Sequence, residues 1–212
     1  MKKAEQSEAT RTALLQAARE LFTERGYAGT ATEDIAQRAG VTRGALYYQF
    51  RDKSDLFRAV LEDLYLHITQ KVASAIQSSR EELGDLWDAI ARTGTEAFLD
   101  GCLDPTYQRI ALIEAYAVLG WEEERELDLK YGLGLIHAIL QELMDAGLLA
   151  PQPLEPLAHL ILSVENEAAR YIARADDIPT ARKEMGASLE RLFNGIRSQG
   201  AESAPADKDG GA

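Results

Sequence analysis

A chain of 212 residues, 46% hydrophobic and 27% charged, can bury a core unaided, and its single cysteine, Cys102, excludes an internal disulfide. Met1-Lys2-Lys3 runs into Ala4-Glu5-Gln6-Ser7 without the apolar stretch of a signal peptide, and no apolar run approaches the ~18 residues of a membrane span, so a cytoplasmic protein with no membrane partner is expected. The net charge of −12 weighs against nucleic acid, but residues 1–58 hold ten Lys/Arg against eight Asp/Glu and the remainder 13 against 27. A mildly basic head on an acidic body remains compatible with phosphate contact on one face.

Strand-like alternation is absent, and apolar residues recur at spacings of three and four, which implies an all-α protein. Leu14, Ala18, Leu21 and Phe22 share one face of a first helix that stops at Arg25-Gly26. A short second helix starts after Thr32, or two residues earlier if Thr30 and Glu33 form a capping box, and ends at Gly40. A third covers 43–50. A fourth runs from Ser54, as N-cap, to Ser79, with Phe57, Val60, Leu61, Leu64, Ile68, Val72 and Ile76 in one stripe. Five further helices follow over about 82–100, 105–119, 121–145, 154–175 and 179–198. The expected division is a three-helix helix-turn-helix head at 8–53, a larger helical bundle at 54–198 and a disordered tail at 199–212, where Gly, Ala, Ser and charge dominate.

The stretch from Thr32 to Leu56 carries the functional signal. Two short helices joined by Gly40-Val41-Thr42 have the length and glycine content of a helix-turn-helix. With Leu46 inward at 100° per residue, Phe50 shares its buried face, Gly44, Tyr47 and Tyr48 point outward, and Ala45 lies at the margin. Core packing is the alternative for such an Ala-Leu-Tyr-Tyr run. On an outward face, the small residues allow close approach to double-stranded DNA and the phenols reach phosphates or base edges. Arg43 reaches a phosphate or a guanine, while Lys53 and Thr32 anchor flanking phosphates.

The pattern Thr32, Ile35-Ala36, Ala39-Gly40-Val41-Thr42, Leu46-Tyr47, Phe50, Lys53 and Leu56, preceded by Phe22 and Gly26-Tyr27, resembles the DNA-binding head of the TetR (tetracycline-repressor) family of bacterial regulators. The resemblance covers about residues 10–60. Gln49 stands where the family often has histidine, and Ala45 where it often has serine or threonine. By this resemblance Thr42, Arg43, Gly44, Tyr47, Tyr48 and Lys53 lie at the DNA, and the remainder is an effector-binding and dimerisation domain.

A single head makes few contacts, whereas a two-fold dimer spaces two recognition helices about 34 Å apart. Leu157, Leu160, Ile161, Val164, Ala168, Tyr171 and Ile172 form one apolar side, and Leu189, Leu192 and Phe193 lie on another; these two helices are expected to pair into a homodimer, with Glu165 and Asn166 bonding across it. Covering the monomer's own core is the alternative. Trp87, Phe98, Tyr116 and Tyr131, with the polar Glu114 and His137, are the candidate lining of a small-molecule pocket. Gly132 and Gly134 within a helix suggest close approach. No enzyme is expected. There is no Glu-x-x-His pair for a metal, Gly132-Leu133-Gly134 follows no strand, and Cys102 has no nearby base, so no metal or cofactor is implied. The function that follows is a dimeric regulator, a repressor released by an unidentified effector that shifts the fourth helix. An activator or a helical adaptor binding proteins through the same tyrosines are the alternatives.

Overall fold

The computed structural model describes residues 2–198; the expected tail, 199–212, lies outside the described residues. Among these the chain runs through nine helices and no strand. The head comprises α1 (Lys2–Arg25), α2 (Thr32–Arg38) and α3 (Arg43–Gln49), and α4 (Lys53–Leu83) leads out of it. At 1.5 Å per residue its 31 residues span about 45 Å. The body adds α5 (88–101), α6 (105–119), α7 (121–145), α8 (Leu154–Ala173) and α9 (Ile178–Asn194).

Capping explains most boundaries. The Thr42 hydroxyl accepts from the Ala45 amide at 3.2 Å and starts α3. Asp104 accepts from the amides of Thr106 and Tyr107, with Pro105 at the first position of α6, and Asp177 accepts from Thr180 ahead of α9. Two starts differ from the sequence reading. Thr32 is the first residue of α2, whose N-cap is Ala31, and no capping box forms because the Thr30 hydroxyl turns back to the carbonyls of Leu21 and Gly26. Helix α4 is capped by Asp52, whose carboxylate accepts from the Asp55 amide at 2.8 Å, so Ser54 already lies inside it. It continues past Ser79 to Gly84, where a φ of +69° stops it.

The apolar stripes close into two clusters. Leu14, Leu21, Phe22, Ile35, Leu46 and Phe50 pack in the head against Leu56 and Phe57 of α4, and the same cluster continues to Tyr107, Ile110 and Leu127 in the body. Head and body therefore share one uninterrupted core. The rings of Phe22, Tyr27 and Phe57 meet at centroid distances of 5.3–5.8 Å, two of the three pairs edge to face. The second cluster, from Ile76 and Trp87 to Leu189 and Phe193, lies at the far end of the bundle.

Three helices contain a wider π-helical stretch that the 3.6-residue spacing gave no hint of: Asp88–Gly94 in α5, Gln108–Glu114 in α6 and Leu129–Leu133 in α7. Such stretches swing the following side chains to a new direction and recur at functional sites. Those of α5 and α7 front the body's cavity, and that of α6 ends at the head.

Candidate functional site

Helix α3 presents the two faces that its sequence implies. Leu46 (0% exposed) and Phe50 (2%) are buried, while Tyr47 (42%) and Tyr48 (79%) stand in solvent. Gly44 has only the Thr42 hydroxyl oxygen near where a Cβ would stand, so backbone and solvent meet there directly. The Tyr47 hydroxyl lies 3.1 Å from the Thr32 hydroxyl, and the Arg43 guanidinium sits 5.4 Å above the Tyr47 ring. The Thr32 bond, then Arg43, holds the Tyr47 phenol below its ordinary range. Arg43 also pairs with Glu33 at 2.8 Å, both side chains exposed, an ion pair that a phosphate can replace at small loss.

Lys53, expected at a phosphate, has a different setting. Its ammonium donates to the carbonyls of Tyr27 at 2.8 Å and Thr30 at 2.9 Å and lies over the Tyr27 ring, so it braces the turn after α1 against α4. Ala45 is half-buried. Gln49 is half-buried and donates to the Ser7 hydroxyl and carbonyl, tying α3 to the start of α1. Thr42, Arg43, Gly44, Tyr47 and Tyr48 thus form one surface, with Ala45 at its edge, Lys53 behind it, and Thr32, expected on this surface, buried with its hydroxyl against that of Tyr47.

The second feature is a cavity of about 110 Å³ in the body. Tyr65, Ile68, Thr69, Val72 and Ile76 of α4 form one wall, and side chains from α5 to α9 form the rest. Of the six sequence-selected ligand contacts, Trp87, Phe98 and Tyr131 line it, with the Trp87 indole anchored to Asn194 at 2.9 Å. The other three do not. Tyr116 accepts from Arg170 at 3.1 Å, and His137 pairs with Glu155 at 2.7 Å. Glu114 accepts from the Tyr27 amide at 2.8 Å and from Arg109 at 2.9 Å, joining α6 to the head. Each found its partner on an element remote in sequence, which spacing cannot reveal.

The lining that sequence reasoning missed is polar. Asp128, Glu165 and Asn166 all face the cavity. Asn166 donates to both carboxylate oxygens of Asp128 at 2.9 Å, within one chain and not across a dimer. Burial pushes Asp128 above the usual carboxylate range, partly offset by Asn166. Burial alone pushes Glu165 up to about 7, with neither hydrogen bond nor neighbouring charge against it. Glu165 is half-buried and lines the cavity. Its place was readable, because 165 follows Ile161 and Leu162 by four and three residues on the buried side of α8.

Of the expected dimer residues, Ala168, Leu189 and Phe193 are buried in the chain's own core, and Ile161 and Phe193 line the cavity. Leu157 and Val164 are half-buried; Tyr171 (54% exposed) and Leu192 (49%) stand free, as does Leu160 (64%). Gly132 lies where a Cβ would come within 2.7 Å of Leu162, a close approach, whereas Gly134 meets nothing.

Comparison with known proteins agrees with this architecture. Residues 14–60 match the family described as "Bacterial regulatory proteins, tetR family", and residues 87–196 match "Tetracyclin repressor-like, C-terminal domain". A TetR-family transcriptional regulator of Pectobacterium atrosepticum superposes with a TM-score of 0.78 at 32% identity, over 92% of this chain and 97% of that one. The transposon Tn10 TetC protein of Escherichia coli is 28% identical over 157 residues, 74% of this chain and 77% of its own. The regulator RolR, solved with resorcinol, shares the fold at a TM-score of 0.67 and 18% identity, over 89% of each chain. With both halves matched, an outward tyrosine-bearing third helix and an all-helical body, the chain belongs to the TetR family of DNA-binding transcriptional regulators.

Proposed function

We propose that this regulator is a homodimeric repressor that occupies a near-palindromic operator and is released when a small organic molecule enters the body's cavity. In this reading residues 8–53 read the DNA and 54–198 bind the effector and dimerise. Arg43, Gly44, Tyr47 and Tyr48 enter the major groove, with Ala45 at the groove edge. Thr42 meets a flanking phosphate, Thr32 holds the Tyr47 hydroxyl, and Lys53 holds the head in position. Leu157, Val164, Leu160, Tyr171 and Leu192 supply the dimer contact.

One observation carries the proposal. Helix α4 is unbroken from Lys53, under the head, to the residues Tyr65–Ile76 that wall the cavity. An occupant that displaces the wall displaces the head, and in a dimer it alters the spacing of two recognition helices. Linkage then requires that bound operator weaken the effector as much as the effector weakens the operator. That RolR, a regulator of the same fold, forms a complex with resorcinol, a single-ring molecule, supports a compact ligand.

The test is operator affinity. DNA selected by the parent protein is labelled and titrated by anisotropy with the parent, Arg43→Ala and Tyr48→Phe. Arg43→Ala is expected to weaken binding by about 1–3 kcal/mol and to flatten the salt dependence. Tyr48→Phe is expected to lose about 1 kcal/mol, the worth of one hydrogen bond. Both melt with the parent, since neither side chain supports the core. Parental affinity in both variants would remove α3 from the interface. Affinity indifferent to salt would favour a protein partner instead.

A further inference from the structure

Besides its tyrosines, the cavity wall carries two ionisable side chains, both acidic. Asp128 and Glu165 line it with six aromatic residues, and among the described residues no lysine, arginine or histidine does. The two carboxyls are not equivalent. Asp128 has Asn166 on both oxygens and Arg125 on one, at 3.1 Å, from outside the lining. Glu165 has no such partner, yet it is aimed into an apolar space where an unpaired carboxylate is costly to keep. A third carboxyl stands behind the wall. Glu124 receives the Tyr65 hydroxyl at 2.8 Å on one oxygen, and its other oxygen is buried without a partner.

Ligand classes differ in how they meet this wall. An organic anion would place a further negative charge beside Asp128 and Glu165 with no cation to receive it. A neutral hydrocarbon would leave Glu165 desolvated and unpaired. A cation supplies both the opposite charge and N–H donors, and its charge is further favoured by the aromatic faces of Trp87, Phe98 and Tyr131. The space of about 110 Å³ is below the ~150 Å³ of an engineered cavity that takes up benzene, so the molecule is of single-ring size.

We propose that the effector is a compact organic cation, a protonated amine on an aromatic or cyclic body, whose ammonium is received by the Glu165 carboxylate. The proposal rests on reading the cavity as the effector site. An unpaired polar group selects strongly, because a ligand that fails to satisfy it leaves it buried, whereas the apolar walls distinguish poorly between molecules of one shape.

Three probes of nearly one shape, each no larger than a single small ring with its head group, separate charge from fit: cyclopentylammonium, cyclopentanol and cyclopentanecarboxylate. Each is titrated calorimetrically into the full-length protein and into Glu165→Gln at about pH 8, where Glu165 is ionised, and each is added to the labelled operator complex. The parent is expected to bind the ammonium at least about tenfold more tightly than the alcohol, with the carboxylate weaker still, and the ammonium is expected to release the operator. Glu165→Gln is expected to bind ammonium and alcohol within about threefold of each other and to keep the parent's affinity for the alcohol, which shows that the pocket has survived. Tighter binding and release by the alcohol or the carboxylate overturns the charge assignment and leaves the effector cavity standing. A preference for ammonium that persists in Glu165→Gln removes this residue from the site. Should no probe bind or release the operator, the effector reading of the cavity falls, and this proposal with it.

Discussion

Glu165 brings a carboxyl to an apolar wall with no donor to receive it, and the consequence is measurable without any ligand. Burial raises it from an ordinary 4.5 to about 7. A carboxyl held this way binds its proton more tightly folded than unfolded. Its contribution to stability is therefore intact below about pH 4.5, shrinks as the pH rises and is gone above about pH 7. The displacement amounts to at most about 3 kcal/mol, since cavity water would soften it. Glu165→Gln is accordingly expected to resist urea better than the parent at about pH 8, by up to that amount, and to match it near pH 4.5. Equal midpoints at both pH values would mean that the carboxyl is solvated. Stability forgone at one residue in this way is common where a site must later receive a ligand. The recognition face makes the opposite use of exposure, since Tyr48 and Arg43 contribute little to the fold and are free to contact DNA.

At the scale of elements, the turn after α1 is where the body holds the head. The peptide nitrogen of Tyr27 donates to Glu114 at the end of the π-helical stretch of α6, and the Tyr27 carbonyl receives Lys53 from the start of α4. Glu114→Ala leaves the Tyr27 amide and Arg109 without their acceptor and is expected to destabilise the protein by about 1–3 kcal/mol, whereas Glu114→Gln keeps an acceptor for the amide and recovers most of it. Urea midpoints of the two variants check this; an alanine variant as stable as the parent would show that the bond adds nothing across the junction. The helices themselves were legible, because apolar spacing and caps such as Thr42 and Asp104 act within a few residues. The π-helical stretches were not, because an added residue in one turn changes direction in space while leaving the apolar pattern nearly intact. Nor could spacing tell the cavity-facing Tyr131 from Tyr116. The difference is an arginine 54 residues further on.

For the whole molecule, assembly turns on which apolar residues the chain itself leaves uncovered. Exposure divides those selected from sequence on α8 and α9. Leu189 is 3% exposed and packs within one chain, so its truncation to alanine would cost about 2–5 kcal/mol of fold stability and report nothing on pairing. Tyr171 and Leu192 stand in solvent on these neighbouring helices, and a surface of this kind on a chain carrying −12 needs a complementary apolar face to overcome repulsion between two acidic bodies. A two-fold contact doubles every change made in it, because each residue occurs once on either side. Leu192→Glu therefore adds two charges to the proposed interface while disturbing no buried side chain of its own chain. We expect the parent to sediment at twice the chain mass and Leu192→Glu at the chain mass, with the parent's circular dichroism. Its operator affinity should fall by about 100-fold or more, because one head alone retains half the contacts and loses the advantage of being tethered to its twin. A Leu192→Glu protein that still sediments as a dimer would move the interface away from α9, and the exposed Trp121 and Ile113 would be the next faces to charge.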